Sequence, residues 1–169
     1  REKFIFLIKR EIKNAEEGKK AEIIAKMNSL VDPEIINLLY LASDSGVKIS
    51  LIVRGICCLY PQRKNLSENI KVKSIIGHFL EHSRIFWFCN NGDNEVFIGS
   101  ADWMRRNLDR RIEAVTPIED YELKSKIYSL LQTYIKDDYF SWIMKDDGSY
   151  SKYELDSSHN RSQIDLIEK

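Results

Sequence analysis

The sequence has no excess of charge of either sign and very little cysteine. Its 26 lysine and arginine residues balance 26 aspartate and glutamate residues, so a general polyanion-binding surface is excluded and no nucleic-acid partner is expected. Three cysteines, two of them adjacent at Cys57 and Cys58, give neither a disulfide framework nor metal-ligand spacing. We therefore expect reduced thiols in a cytoplasmic protein. Any phosphate chemistry must come from a local cluster of charged side chains.

Signals for membrane insertion or export are also missing. No apolar run approaches the ~18 residues that suggest a membrane span, and no signal peptide is visible. Association with a membrane surface is left open. The chain does not begin with Met, so we expect a piece of a longer multidomain protein. Its 169 residues, 43% of them hydrophobic, are enough for one domain with a real core.

The hydrophobic pattern predicts an α/β fold in which a mixed sheet is flanked by helices. Apolar residues recur at helical spacing near the N-terminus, and a strand is predicted over 21–31. Asp32 and Pro33 start the next helix as N-cap and first helical residue, and Gly46 ends it. The strand over 47–53 is apolar on both faces. Strand, helix and strand in this order indicate a right-handed βαβ unit.

The second half of the chain continues the same fold class. The pattern predicts a short strand at 70–74, a β-hairpin, a strand over 110–118 and a helix over about 120–136. Residues from about 140 are polar and rich in serine, which predicts a helix fragment and a loosely held tail. The whole chain, 1–169, is therefore interpreted as a single domain.

Polar side chains stand where the hairpin begins, in the stretch "EHSRIFWF". Alternation along a strand puts His82 and Arg84 on one face. The Asn-Gly pair that follows is the strongest short hairpin signal, and a turn there brings both residues opposite the segment with Ser100 and Asp102. A lone histidine is more often structural, but orienting partners are what an acid/base imidazole needs.

Arg54 stands directly after the strand over 47–53 and before Gly55. Open α/β sheets bind ligands beyond the carboxyl ends of their strands. An arginine there offers a rigid fork of donors to phosphate oxygens, and glycine allows close backbone approach. The sequence equally allows an arginine that caps carbonyl groups or pairs with an acidic neighbour. The basic run "RRNLDRR", at 105–111, is interpreted as a solvated, salt-bridged face.

Two short motifs resemble a variant of the phospholipase D superfamily signature. They are "HSR" at 82–84 and "GSAD" at 99–102, against His-x-Lys, four residues, Asp, then Gly-Ser-x-Asn. Arg84 stands where the signature has lysine, Cys89 where it has aspartate, and Asp102 where it has asparagine. These departures argue against one alternative function, a homodimeric phosphodiesterase or nuclease in which two copies supply two histidines.

Longer motifs cover roughly residues 4–140. They are "KMNSLVD", "SLIVRGICCL", "ENIKVKSIIGHFLEHSRIFWF" and "GSADWMRRNLDRRIEAVTPI". These resemble the C-terminal domain of bacterial polyphosphate kinase, the long-chain-synthesising type. The resemblance implies a phospholipase D-like half-fold and reversible transfer of the terminal phosphate of ATP to inorganic polyphosphate, with ADP as the other nucleotide. It also implies a phosphohistidine in a preceding domain, a requirement for Mg²⁺ with ligands in that domain, and no metal ligand here.

Residue by residue, the resemblance implies that Arg54 of the Val-Arg-Gly motif binds the nucleotide phosphates. His82 of the Glu-His-x-Arg motif resembles the second active-site histidine, which contacts those phosphates and acts as an acid. From geometry alone, Arg84, Asp102 and Ser100 are candidates to orient the imidazole. The implied partners are ATP, polyphosphate, the preceding domains and further copies in a homo-oligomer. A chain that holds only half of an active site cannot catalyse the reaction, so the isolated chain is expected to be inactive. The second alternative function is a non-catalytic assembly module.

Overall fold

The computed structural model describes residues 1–152 and 159–167. In chain order the elements are α1 (Glu2–Glu16), β1 (Glu22–Met27), α2 (Pro33–Asp44), β2 (Lys48–Val53), β3 (Ile70–Ile75), β4 (Arg84–Phe88), β5 (Glu95–Gly99), α3 (Arg105–Arg110), β6 (Val115–Ile118), α4 (Tyr121–Lys136), β7 (Ser141–Met144), β8 (Tyr150–Lys152) and α5 (Ser162–Asp165). Within these residues the strands form one eight-stranded mixed sheet in the order β6-β5-β4-β1-β2-β3-β7-β8. The predicted fold class is confirmed.

The βαβ unit forms as predicted from its local signals. Asp32 is the N-cap of α2, and its Oδ1 accepts hydrogen bonds from the backbone N–H groups of Glu34 and Ile35, both at 3.1 Å. Parallel pairing places Met27 beside Val53 at the ends of β1 and β2, and β3 runs parallel to β2. Three carboxyl ends therefore share one edge of the sheet, which is where open α/β sheets bind ligands.

The hairpin of β4 and β5 has the predicted register but a different connection. Arg84 pairs with Gly99 and Phe88 with Glu95, so the pairing is centred on the Asn-Gly pair. A single tight turn was expected. The chain instead makes a longer loop in which Asn90 and Asn91 both have positive φ, 44° and 55°, a conformation that asparagine tolerates better than most residues. His82 lies just before β4, which begins at Arg84.

Alternate residues of β4 divide between two apolar clusters, as predicted. Phe86 and Phe88 pack with α1 and α2, and Trp103 stacks on Phe86 with ring centroids 5.2 Å apart. Ile85 and Trp87 pack on the other face, against α4. The aromatic run of β4 is therefore core, and its burial fixes the position of the residues at its start.

The prediction of a strand over 110–118 is wrong in its first part. Residues 105–110 form α3, and β6 begins only at Val115. The helix buries Asn107 and packs Leu108 against the first cluster. Its arginines are exposed, in keeping with the predicted solvated face. The helix has no side-chain cap, so the sequence carried no start signal.

The prediction of a loosely held tail from about residue 140 is wrong where the structure describes it. β7 pairs antiparallel with β3, and β8 pairs with β7. The fully buried Asp137 fastens this segment: Oδ1 accepts from Phe140 N and Ser141 Oγ, and Oδ2 accepts from the backbone N–H and the hydroxyl of Ser162. The remainder of the predicted tail, 153–158 and 168–169, lies outside the described residues. Of the helices described, none has the length and apolar character needed to cross a membrane.

Candidate functional site

The candidate site begins where β1 and β2 end side by side. Asn28 follows β1 and Arg54 follows β2, and the backbone N–H of Gly55 donates to the carbonyl of Asn28 at 2.7 Å. A Cβ on Gly55 would lie 3.0 Å from that carbonyl oxygen, so glycine permits this close approach. The two side chains are therefore held next to each other by the sheet itself.

Asn28 orients the guanidinium of Arg54. Its Oδ1 accepts a hydrogen bond from Arg54 Nε at 2.9 Å. Asn28 is only 6% exposed, whereas Arg54 is half-buried. In the described part of the chain nothing bonds to the two Nη groups of Arg54 or to the buried Nδ2 of Asn28. Arg54 also lines an open cavity of about 340 Å³ together with residues of β3, β7 and β8.

Asp102 connects this pair to β4. Its Oδ1 accepts the backbone N–H of Asn28 at 2.8 Å. The same carboxylate forms a two-pronged ion pair with Arg84, with Nε–Oδ1 at 3.2 Å and Nη2–Oδ2 at 3.3 Å. The side chains of Arg84 and Asp102 are 13% and 8% exposed. Because both hydrogen-bonding prongs are shielded, the guanidinium plane of Arg84 is fixed.

Arg84 in turn fixes His82, whose side chain is exposed. Nη1 of Arg84 lies 2.9 Å from the backbone oxygen of His82, 2.8 Å from Nδ1 and 3.3 Å from Nε2. A guanidinium nitrogen only donates, and Nη1 has two hydrogens. One is directed to the carbonyl oxygen, and the other faces the imidazole, whose nearer nitrogen is Nδ1.

Ser100 does not join this arrangement. Its hydroxyl donates to Glu113 and accepts from the backbone N–H of Ala114 at 3.1 Å. The orienting role expected for Ser100 is therefore not supported. Arg84 pairs with Gly99, and alternation along the strand turns the next side chain, Ser100, to the other face.

A buried ion pair lies beside these groups. Lys26 Nζ is 3.1 Å from Glu81 Oε2, donates to Ser83 Oγ at 2.8 Å and lies 4.9 Å from the ring centre of Tyr134. Burial lowers the pKa of Lys26, Glu81 opposes that shift, and the charges of the nearby arginines reinforce it. With Arg54 and Arg84, three cations meet two carboxylates, Asp102 and Glu81. The cluster therefore has one positive charge in excess, which suits an anionic ligand.

Metal ligation is not a feature of this arrangement. Within 1–152 and 159–167, no three His, Cys, Asp or Glu side chains are grouped to hold a metal ion. Asp102 and Glu81 are both occupied by cationic partners. The described residues therefore do not fit a Mg²⁺ site.

A series of contacts through Asn28 connects four of the five residues predicted from the sequence: Arg54, His82, Arg84 and Asp102. Sequence reasoning missed Asn28, Lys26 and Glu81. A signal was present for Asn28, which stands after β1 as Arg54 stands after β2. Lys26 was also visible as a lysine that directly follows the apolar residues 23–25 of β1.

Known proteins of one family match this chain along nearly its whole length. A sequence profile described as "Polyphosphate kinase C-terminal domain 2" matches residues 1–163. A polyphosphate kinase of Parasynechococcus marenigrum (strain WH8102) is 56% identical over 165 residues, which are 96% of this chain and 23% of that protein. The chain therefore spans less than a quarter of that relative.

Solved structures agree with the sequence comparison. The crystal structure of polyphosphate kinase from Porphyromonas gingivalis matches with a TM-score of 0.94 and 42% identity, over 99% of this chain and 26% of that one. Nuc from Salmonella typhimurium, a phospholipase D family member, matches with a TM-score of 0.52 and 15% identity, over 84% of this chain and 89% of that one. At that identity the second likeness shows the fold alone.

Proposed function

Because this chain belongs to the polyphosphate kinase C-terminal domain 2 family, we propose that it supplies half of an active site that moves the terminal phosphate of ATP to inorganic polyphosphate. The reaction is reversible, with ADP as the other nucleotide, and passes through a phosphohistidine outside this sequence. ATP, polyphosphate and other domains of the same protein are the proposed partners, and the full-length protein is a homo-oligomer. The proposed enzyme is cytoplasmic.

One observation carries this proposal. Arg54, Asn28, Asp102, Arg84 and His82 are connected in that order by hydrogen bonds and one ion pair. The two residues at the ends of this series are the two that the family resemblance assigns to nucleotide phosphates. Phosphoryl transfer depends on positioning and charge neutralisation more than on covalent work by the protein. A series that fixes two phosphate-directed side chains at one sheet edge fits that need.

Arg54 is proposed to bind phosphate oxygens through its two Nη groups. Nε is occupied by Asn28 at 2.9 Å, which fixes the plane of the guanidinium without using its terminal donors. Charge-assisted bonds from arginine to phosphate are short and are often made in pairs. The expected contribution is therefore mainly to nucleotide affinity.

His82 is proposed to donate a hydrogen bond from Nε2 to the phosphoryl group in transfer. The resemblance implied an acid, but we assign Nδ1, which lies 2.8 Å from Arg84 Nη1, as the acceptor of a hydrogen bond from that nitrogen. With Nδ1 in that role, the proton of a neutral imidazole is on Nε2, where it can be donated in a hydrogen bond to a phosphate oxygen. A neutral imidazole donates a hydrogen bond readily, but full transfer of its remaining proton is energetically costly. In this role His82 stabilises the negative charge of the transition state through a hydrogen bond and does not transfer a proton.

Mg²⁺ would neutralise charge on the phosphates when bound to the complete enzyme. The described residues of this chain do not fit a metal site, and its ligands are expected elsewhere in the protein. The chain's own contribution is the positioning of Arg54 and His82.

The test is synthesis of acid-insoluble polyphosphate from ATP by the full-length protein. Arg54→Ala is expected to raise KM for ATP at least about tenfold, the cost of one or two charge-assisted bonds. Arg110→Ala, at an exposed arginine of α3, is the matched control and is expected to leave KM unchanged. A full-length Arg54→Ala protein with normal ATP affinity and normal synthesis would refute the assignment.

A further inference from the structure

The loop that carries His82 is not held by its apolar side chains. It runs over 76–83 between β3 and β4. Ile76, Phe79 and Leu80 are 60%, 57% and 68% exposed. A loop with few buried apolar contacts opens easily unless polar groups fasten it. The position of His82 therefore depends on the hydrogen bonds that the loop makes.

Gln163 of the C-terminal helix α5 provides three of those bonds. Its Oε1 accepts from the backbone N–H of Phe79 at 3.0 Å, and its Nε2 donates to the carbonyl of Phe79 at 2.8 Å. Nε2 also donates to Glu81 Oε1 at 2.8 Å. Gln163 is 4% exposed, so water competes little for these groups. A single amide thus pairs with both backbone groups of Phe79 and with the residue before His82.

The contact is close enough to demand glycine in the loop. A Cβ on Gly77 would lie 2.4 Å from Gln163 Oε1 and 2.7 Å from a ring carbon of Phe140. No side chain fits there without displacing one of these groups. The loop is therefore shaped to lie against Gln163.

Residues on both sides of His82 are held by the buried lysine of β1. Lys26 Nζ pairs with Glu81 at 3.1 Å and donates to Ser83 Oγ at 2.8 Å. Glu81 is thus shared between Lys26 and Gln163. The loop is fixed at the two residues that flank the imidazole.

Helix α5 has its own anchor, independent of the loop. The backbone N–H and the hydroxyl of Ser162 both donate to Oδ2 of Asp137, at 2.8 and 2.5 Å. Asp137 is fully buried. Gln163 therefore extends from a fixed support, as a positioning group must.

We propose that Gln163, acting through Phe79 and Glu81, is a positioning residue that holds His82 where it meets the phosphoryl group. This inference rests on the proposed function of His82. It gives α5 a part in the reaction that acts only through the loop. Loss of Gln163 lets the loop move, so fewer enzyme molecules have His82 in place. Arg54 is on a different element, so its contribution to nucleotide binding is retained.

The test uses the full-length enzyme with Gln163→Met, which keeps the length of the side chain and removes its hydrogen bonds. A displacement of about 1 Å can cost up to a hundredfold in rate, and kcat is expected to fall at least about tenfold with KM for ATP nearly unchanged. Gln132→Met, at a half-buried glutamine of α4, is the control and should leave kcat unchanged. Gln163→Asn, one methylene too short, replaces the Met variant if that variant does not fold, with the same expectation.

A second background separates positioning from a general structural role. In His82→Ala enzyme, Gln163→Met should cause no further loss of kcat, because the group that it positions is gone. An equal loss in both backgrounds, or no loss in either, would overturn the inference. If His82→Ala itself has full activity, the proposed function of His82 fails, and this inference falls with it. Failure of the role of Gln163 is therefore distinguishable from failure of the proposed function of His82.

Discussion

Asn28 and Arg54 face each other across the ends of two parallel strands, and Oδ1 of the asparagine accepts a hydrogen bond from Nε of the arginine at 2.9 Å. The parallel register that pairs Met27 with Val53 makes this contact a direct result of the fold. Asn28 is buried and also gives its backbone N–H to Asp102. Asn28 therefore connects Arg54 to the contacts that lead through Asp102 and Arg84 to His82.

Replacement of Asn28 tests whether the orientation of Arg54 matters. Asn28→Leu has a similar shape and cannot accept from Nε, so the guanidinium loses its fixed plane. Loss of one hydrogen bond to a charged group costs about 1.5–3 kcal/mol, and KM for ATP in the full-length enzyme should rise roughly tenfold or more. The backbone bond from Asn28 to Asp102 is unaffected by the side chain. An unchanged KM in a folded variant would show that Arg54 needs no orientation from Asn28.

Two substitutions at His82 separate hydrogen-bond donation from proton transfer. His82→Gln keeps an N–H donor but cannot act as an acid, whereas His82→Ala removes both. The account predicts that Gln retains at least about tenfold more kcat than Ala, in line with a charge-assisted hydrogen bond. If proton delivery is required, general acid catalysis is lost in both variants, about 10²–10⁴-fold. Equal losses in polyphosphate synthesis would therefore support an acid.

Removal of Asp102 leaves Arg84 mostly buried without its partner. Breaking a buried ion pair by removing one member costs about 3–5 kcal/mol, and Asp102→Ala should lower the free energy of unfolding of the 169-residue chain by about 3 kcal/mol. Asp102→Asn also leaves the charge of Arg84 without a carboxylate but keeps an acceptor for the backbone N–H of Asn28, so it should cost less than Asp102→Ala. Urea unfolding of the three proteins gives the comparison. An alanine variant as stable as the parent would mean that the pair is solvent-screened.

The buried Lys26 predicts a dependence of stability on pH. Burial lowers its pKa below the ordinary 10.5, so between the two values the unfolded chain binds more protons than the folded chain. Stability contributed by this group therefore rises as pH increases toward 10.5. The reference is Lys26→Met/Glu81→Gln, which removes both members of the pair. Between pH 7 and 10, the free energy of unfolding of the parent should increase relative to that reference, and a flat or falling difference would contradict the shift.

Local signals explain which parts of the fold were predictable. Asp32-Pro33 and Gly46 mark both ends of α2 with nearby residues, and the Asn-Gly pair sets the register of β4 and β5. The predicted positions of Arg54 and His82 follow from these elements. An element whose signals lie within a few residues of it can be predicted from the sequence.

Contacts between distant residues explain the failures. The segment after residue 140 looked loose because Asp137 meets Ser162 only after 25 further residues. Gln163 and Phe79 are separated by 84 residues, and no pattern along the chain connects them. Asn28 is different, since its place after β1 was readable but its bond to Arg54 required the strand register. The residues missed are those whose role depends on partners far along the chain.

The most direct measurement of the central claim is a crystal structure of the full-length protein with a non-hydrolysable ATP analogue. The account predicts phosphate oxygens within about 3 Å of an Nη group of Arg54 and of Nε2 of His82, the distance of a hydrogen bond. It also predicts that the bonds from Asn28 to Arg54 and from Arg84 to His82 persist in the complex. An analogue whose phosphates lie beyond hydrogen-bonding reach of both side chains would contradict it.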